Sequence, residues 1–368
     1  MKKQITIGSA TFDDFEGVYF TYQSLRLNNP DWLDEIDFVI IDNNPTSKEG
    51  EATASFCDKA KIRYFPCPTP RSTAVRDKVF RVAEADFTLC IDPHVLFEPK
   101  AVSRLIDFAN GGYKEISAST SDLFHGAMMY DYLDPNNTPA THMNERWRDN
   151  MFGTWAHEEL AKDPNCPPWE IPMHGLGIFA CFTKAWPGFS PLFKGFGGEE
   201  GYIHEKFKMR GGRTWCLPWL RWLHRFDRPR GNVYPLHLEE RIRNYAFGWL
   251  EVEKDTDEIL EHFSELHPHL PVERIIEDAK FLFKDYSLGD PTNVLESIHE
   301  DRKAKTTEAV PFTPEEVIEE SKGNEAPSMV GEQSWNHTEV DLGHPLQIDI
   351  GGKHLNIKSF SLDWSLEG

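Results

Sequence analysis

The 368-residue chain has no run of about eighteen apolar residues, so no membrane-spanning helix is expected. Its opening, Met1-Lys2-Lys3-Gln4-Ile5-Thr6-Ile7, lacks the apolar stretch and small-residue cleavage site of a secretion signal, and a cytoplasmic location is the expectation. Positive charge is scarce: 39 Lys and Arg stand against 60 Asp and Glu, for a net charge of −21. That balance disfavours general binding to a phosphate backbone without excluding a local basic patch. None of the six cysteines forms a Cys-x-x-Cys pair, which removes zinc-ribbon and thioredoxin readings and predicts free thiols. Cys57 and Cys67 are the one pair to check for a bridge. No internal repeat is present. What the chain does have is 39% hydrophobic residues and 11 Trp, ample for one large domain with an appendage or for two ordinary domains.

The first hundred residues alternate strand and helix signals. Ile5-Thr6-Ile7, Phe38-Val39-Ile40-Ile41, Ile62-Arg63-Tyr64-Phe65 and Phe87-Thr88-Leu89-Cys90-Ile91 read as strands, the second a continuous apolar run expected to be buried on both faces. Helices are predicted from Glu16 to Leu27, after Ser47 to Ala60, from Thr73 to Ala85, and from Pro99 to Gly111-Gly112. This βαβα order predicts an α/β fold with a mostly parallel sheet, whose ligands bind beyond the carboxyl ends of the strands. Residues from about Ser117 to Pro191 read as irregular and aromatic. A glycine turn, Gly195-Phe196-Gly197-Gly198-Glu199-Glu200, then leads into a helix from Tyr202 to Arg210 and a strand from Thr214 toward His224. Periodicity is helical from Leu238 to Lys284, with Leu250, Ile259, Leu260, Phe263, Ile275, Ile276 and Phe281 as apolar positions. From Lys303 to Trp335 the composition is acidic and linker-like. Leu346 to Ile357 has the period-two pattern of a hairpin around Gly351-Gly352. The expected domains are 1–235, a helical subdomain over 236–300, and a linker and hairpin tail over 301–368.

Asp92-Pro93-His94 ends a buried strand. A carboxylate and an imidazole two residues apart can face one ion, and that donor set suits Mn2+ or a similar divalent ion. The plainer alternative is a turn-forming Asp beside a covering His. Residues 4 to 226 add more. Ile7-Gly8-Ser9-Ala10-Thr11-Phe12-Asp13, Asp42-Asn43-Asn44-Pro45, Ala74-Val75-Arg76-Asp77, Asp92-Pro93-His94 and the Gly-Gly-Glu turn occur in that order. In this order they resemble the elements of GT-A fold, family 2-like glycosyltransferases. The Asp-x-His and Gly-Gly-Glu elements are similar to those of polypeptide N-acetylgalactosaminyltransferases.

The resemblance implies a GT-A domain with a C-terminal helical extension and terminal hairpin. It implies transfer of a hexosyl or N-acetylhexosaminyl group from a nucleotide sugar, with a UDP-sugar the expected donor and Mn2+ (or Mg2+) the cofactor. Asp92, His94 and His224 would hold the ion. Thr11, Asp42, Arg76, Asp92 and, at second rank, His174 and Gly175 would bind the donor. Glu199 matches the family glutamate, and Glu200 the acid that inverting relatives use as base. A surface ion pair remains open for Arg76, and simple helix-start acids for the two glutamates. The expected acceptor is a hydroxyl, on a saccharide in preference to DNA. Arg221, Arg225, Arg228 and Arg230 keep open an enzyme acting on hydroxymethylated DNA bases. A non-catalytic nucleotide-sugar or carbohydrate binder is the alternative of another class.

Overall fold

A computed structural model describes residues 3–111, 121–131, 138–228, 230–288, 340–350 and 353–360. The chain divides into two units, Met1–Ala326 and Pro327–Gly368. The first is built on β1 (Ile5–Thr11), β2 (Ile36–Asp42), β3 (Arg63–Pro66), β4 (Phe87–Ile91), β5 (Val95–Phe97), β6 (Leu123–Met129), β9 (Trp169–Glu170), β10 (Ile178–Phe182) and β11 (Thr214–His224), with the hairpin β7 (His142–Arg148) and β8 (Met151–Ala156) apart from it. The sheet runs β3-β2-β1-β4-β10-β6-β11-β5, with β9 beside β11. β3, β2, β1 and β4 are parallel, as the βαβα pattern predicts. β10 enters antiparallel to β4 and β6, and β5 antiparallel to β11. Strand order reverses at β1, so the carboxyl ends of β1, β2 and β4 open on one crevice, carrying Thr11, Asp42 and Asp92 to its edge.

The flanking helices follow their caps. Asp14 accepts Gly17 N–H at 2.9 Å and starts α1 (Phe15–Asn28). Ser47 accepts Gly50 N–H at 3.0 Å and starts α2 (Lys48–Ala60), while Lys61 closes it in the left-handed region. The predicted helix from Thr73 to Ala85 is shorter. It forms a 3-10 turn, Thr73–Arg76, and then α3, Asp77–Val82. The reason lies beyond its end: Glu84 and Ala85 donate their N–H groups to Thr6 Oγ1 and Asp37 Oδ2 on the sheet instead of to helix carbonyls. α4 spans Ala101–Ala109.

The stretch from Ser117 to Pro191 is more regular than its composition suggests, holding β6 to β10 among its described residues. β6 and β10 are short and buried nearly throughout, so neither shows the alternation that marks a half-buried strand. Gly126 is required in β6 because a Cβ there would come 2.0 Å from Leu220 O. β11 runs the full length to His224, with its register against β6 shifting between Leu217 and Trp222, where Pro218 has no N–H for the ladder.

α5 (Glu200–Met209) precedes β11, and α6 (Leu238–Glu251), α7 (Asp257–Leu266) and α8 (Val272–Leu288) follow it. α6 packs two ways. Ala246 and Phe247 join the sheet-side core with Val39, Ile41 and Phe179; Ile242, Tyr245 and Trp249 join Phe152, Ile259, Phe263, Ile275 and Ile276. Phe281, expected inside, is 70% exposed. α8 buries Val272, Ile275, Ile276 and Ala279, one helical stripe, and residue 281 lies off it. All six cysteines are free, so Cys57 and Cys67 form no bridge. Among the described residues no helix is long and apolar enough to cross a membrane. In the second unit, β12 (Val340–Ile350) and β13 (Lys353–Phe360) pair antiparallel with Ile350 opposite Lys353, as the hairpin pattern predicts. The predicted acidic linker lies outside the described residues.

Candidate active site

Asp92 leaves β4 and is fixed at once: its N–H donates to Gly177 O at 2.8 Å. β5 then pairs with the end of β11, placing Val95 opposite His224, and Arg225 N–H donates to His94 O at 3.1 Å. Two residues from distant parts of the chain thereby become neighbours, with the His94 and His224 rings edge-on at 4.8 Å. Asp92 Oδ2 lies 3.6 Å from His224 Nε2 and 4.0 Å from His94 Nε2. One ligand atom from each of the three residues falls within 4.8 Å of the others.

The protonation states suit an ion. Burial pushes the His224 imidazole down to about 4, against the pull of Asp92, so it is neutral and able to ligate at neutral pH. Burial would raise the Asp92 carboxyl, but the hydrogen bond to His224 and the charges of His94 and Arg76 outweigh it and hold it below the usual range. His224 Nδ1 is buried with no hydrogen-bond partner. A hard carboxylate and two borderline imidazoles, one with an orphaned nitrogen, fit a divalent ion of the Mn2+ kind. His94 Nδ1 is 2.7 Å from Asp14 Oδ2, a partner that the sequence reading does not name.

Glu199 is tied to the loop from His174 to Gly177 through Arg76. Arg76 donates to Glu199 Oε1 at 2.6 Å and to Leu176 O at 3.3 Å, one residue from the carbonyl that holds Asp92. Both members of this pair are buried, and the guanidinium lies 5.1 Å from the Phe189 ring centroid. Arg76 is thus not a surface cation; it is buried and paired with Glu199. Glu199 precedes α5 without capping it by its side chain, and Glu200 is the acid of its first turn. Glu199 Oε2 and Glu200 Oε2 are buried without hydrogen-bond partners. Burial raises the Glu199 carboxyl, with Arg76 pulling the other way. Burial, then the neighbouring Glu199 charge, pushes Glu200 up to about 8.

Gly197 and Gly198 have φ of 94° and 93°, open to glycine at little cost. Their missing side chains admit α6: a Cβ would come 2.5 Å from Arg241 Nε at Gly197 and 2.7 Å from Asn244 Cβ at Gly198. Asn244 is fully buried and donates to Lys194 O at 2.7 Å and Gly197 O at 2.8 Å, while accepting Lys194 N–H at 2.9 Å. An asparagine inside a helix carries no sequence signal for this role.

The remaining predicted residues divide. Thr11 sits opposite Asp42 in register at the β1–β2 strand ends, its Oγ1 buried without a partner. Asp42 is fully buried, accepting Asn44 N–H and Tyr64 O–H at 2.9 Å each, so it shapes the turn from within. His174 is also fully buried, its ring 4.9 Å from His125, which stacks in turn on His204 at 5.1 Å. Gly175 makes room for Trp155, 2.7 Å from where a Cβ would be. Of the four arginines near His224, Arg221 is buried against Ala161 O and Lys162 O, Arg225 pairs with Glu16 at 2.8 Å, and Arg230 pairs with Glu49 at 2.9 Å. Arg228 donates to Arg225 O at 3.0 Å.

Comparison with known proteins bears on this geometry. Residues 7–154 match the family model described as glycosyl transferase family 2. No curated protein matches in sequence. Among solved structures, GalNAc-T7 with UDP, GalNAc and Mn2+ is similar with a TM-score of 0.53 at 16% identity, over 82% of this chain and 58% of that one. The chain thus spans less than two thirds of that relative. The mannosyltransferase PcManGT from Pyrobaculum calidifontis, in complex with GDP-Man and Mn2+, has a TM-score of 0.44 at 14% identity, over 83% of this chain and 82% of that one. TarS of S. aureus has 0.45 at 13%, over 97% and 60%. The fold is GT-A, and residues 7–154 are similar to glycosyl transferase family 2.

Proposed function

We propose that the chain is a divalent-cation-dependent glycosyltransferase that moves a sugar from a nucleotide-sugar donor, a UDP-sugar first, to a hydroxyl acceptor. The carrying observation is the convergence of Asp92, His94 and His224 at the strand ends, with Glu199 tied through Arg76 to the same 174–177 loop that holds Asp92. A bound Mn2+ supplies positive charge that steadies a departing nucleoside diphosphate. Asp92, with the His94 and His224 imidazoles, holds that charge at the crevice. Thr11 lines the nucleotide end, and Asp42 acts there through the Asn43-Asn44 turn it stabilises. Arg76 sets the charge and direction of Glu199, which orients the sugar. Glu200, with a buried free oxygen, takes the proton from the acceptor hydroxyl once ionised. His174 and Gly175 support the donor side from beneath, against His125 and Trp155.

A saccharide acceptor is favoured over DNA because Arg221, Arg225 and Arg230 already have protein partners. The test is a thermal-shift screen of UDP- and GDP-sugars with and without Mn2+, followed by donor hydrolysis assays. A UDP-sugar should raise Tm only with Mn2+ present. Stabilisation that ignores Mn2+, with no sugar released, would contradict the proposal.

A further inference from the structure

The ion site has a support that the proposed ligand set omits. Asp14 divides its carboxylate between two tasks: Oδ1 accepts Gly17 N–H at 2.9 Å to start α1, and Oδ2 lies 2.7 Å from His94 Nδ1. Both side chains are largely shielded, His94 at 13% and Asp14 at 14% exposure. A carboxylate oxygen can only accept, so at 2.7 Å His94 Nδ1 carries the shared proton. His94 Nε2, on the Asp92 side, is then the nitrogen with a free lone pair.

The rest of α1 is seated on the same segment. Thr21 Oγ1 lies 2.9 Å from Pro93 O and 2.7 Å from Val95 O, and accepts Val95 N–H at 3.1 Å. Gly17 is small because a Cβ would come 2.6 Å from Pro93 O. The first turns of α1 therefore grip Pro93 and Val95 by the backbone, and Asp14 grips His94 by the ring.

We propose that Asp14 is a positioning residue of the ion site: it fixes the tautomer and orientation of His94 and strengthens Nε2 as a donor. This rests on the reading that Asp92, His94 and His224 hold a divalent ion. A carboxylate behind a ligating imidazole raises its basicity and restricts its rotation, and losing such a partner typically weakens metal binding by about 10- to 100-fold. Asp14 also caps a helix, so the test must separate the two tasks. Asn and Ser cap helices about as well as Asp, but neither brings a carboxylate to His94.

The experiment titrates Mn2+ into the full chain and reads free Mn2+ by its electron paramagnetic resonance signal, for wild type, Asp14→Asn, Asp14→Ser and Asp92→Asn, with Tm measured alongside. The expected result is Mn2+ binding by wild type that is lost in Asp92→Asn. Binding should be weakened about tenfold or more in Asp14→Asn and Asp14→Ser, with Tm close to wild type. Wild-type affinity in both Asp14 variants, with Asp92→Asn still defective, would overturn the role of Asp14 alone. Mn2+ binding that Asp92→Asn leaves unchanged would overturn the ion site itself and this inference with it.

Discussion

The two halves of the site are held differently. The ion corner is made at strand ends: Asp92 follows β4, His94 precedes β5, His224 ends β11, and sheet pairing puts them in place. The glutamate corner is a loop with positive-φ glycines that would have no fixed shape alone. It is set from outside by Asn244 and Arg241 of α6 and by Arg76 from the turn after β3. Rigid elements fix the ion corner, whereas long-range polar contacts fix the acid corner. The second arrangement leaves more ways to lose geometry without losing the fold.

Substitutions should separate the two corners. The largest effect belongs to the ion corner: Asp92→Asn should lower Mn2+-dependent donor turnover by about 10³-fold, with little change in urea midpoint. Next, Glu200→Gln should cost about 10²-fold in kcat, and Glu199→Gln should differ from it because Arg76 would be left as a buried unpaired cation. Equal, small losses in single-turnover assays would remove both from catalysis.

A fourth substitution changes a residue that supports the acid corner from α6. Asn244→Ala should lower stability by about 2–3 kcal/mol in urea denaturation, by stranding buried groups of Lys194 and Gly197, and should lower kcat as the acid corner loosens. If kcat is unchanged, the loop holds its shape without α6.

The smallest effect is one of pH. With the Glu200 carboxyl raised to about 8 by burial, the folded chain binds more protons than the unfolded chain between about pH 4.5 and 8. Its contribution to stability is present below that window and lost as pH rises through it. Tm of wild type should therefore fall relative to Glu200→Gln by a few degrees between pH 5 and 8.5 in calorimetry.

How much could be read from the chain alone follows the same division. Asp92-Pro93-His94 was legible as a strand end at a crevice, because it follows a buried apolar run, whereas His224 entered only through the resemblance to GT-A glycosyltransferases. The cap at Ser47 belongs to local rules, and the helix after it follows them residue by residue. The partners that complete each corner were not legible. Arg76 and Glu199 are far apart in sequence, so no local rule signals their pairing. Gly197 and Gly198 suggest close approach of a sugar, but the nearest occupant is α6. β6 and β10 escaped because burial on both faces erases period-two alternation, and β7 and β8 because their aromatics suggested a loop.

Anomalous scattering from crystals grown with Mn2+ and UDP tests the central claim most directly. One manganese peak flanked by Asp92, His94 and His224 is the predicted result. Mn2+-dependent turnover in solution, with the peak absent there or held by other residues, would contradict it.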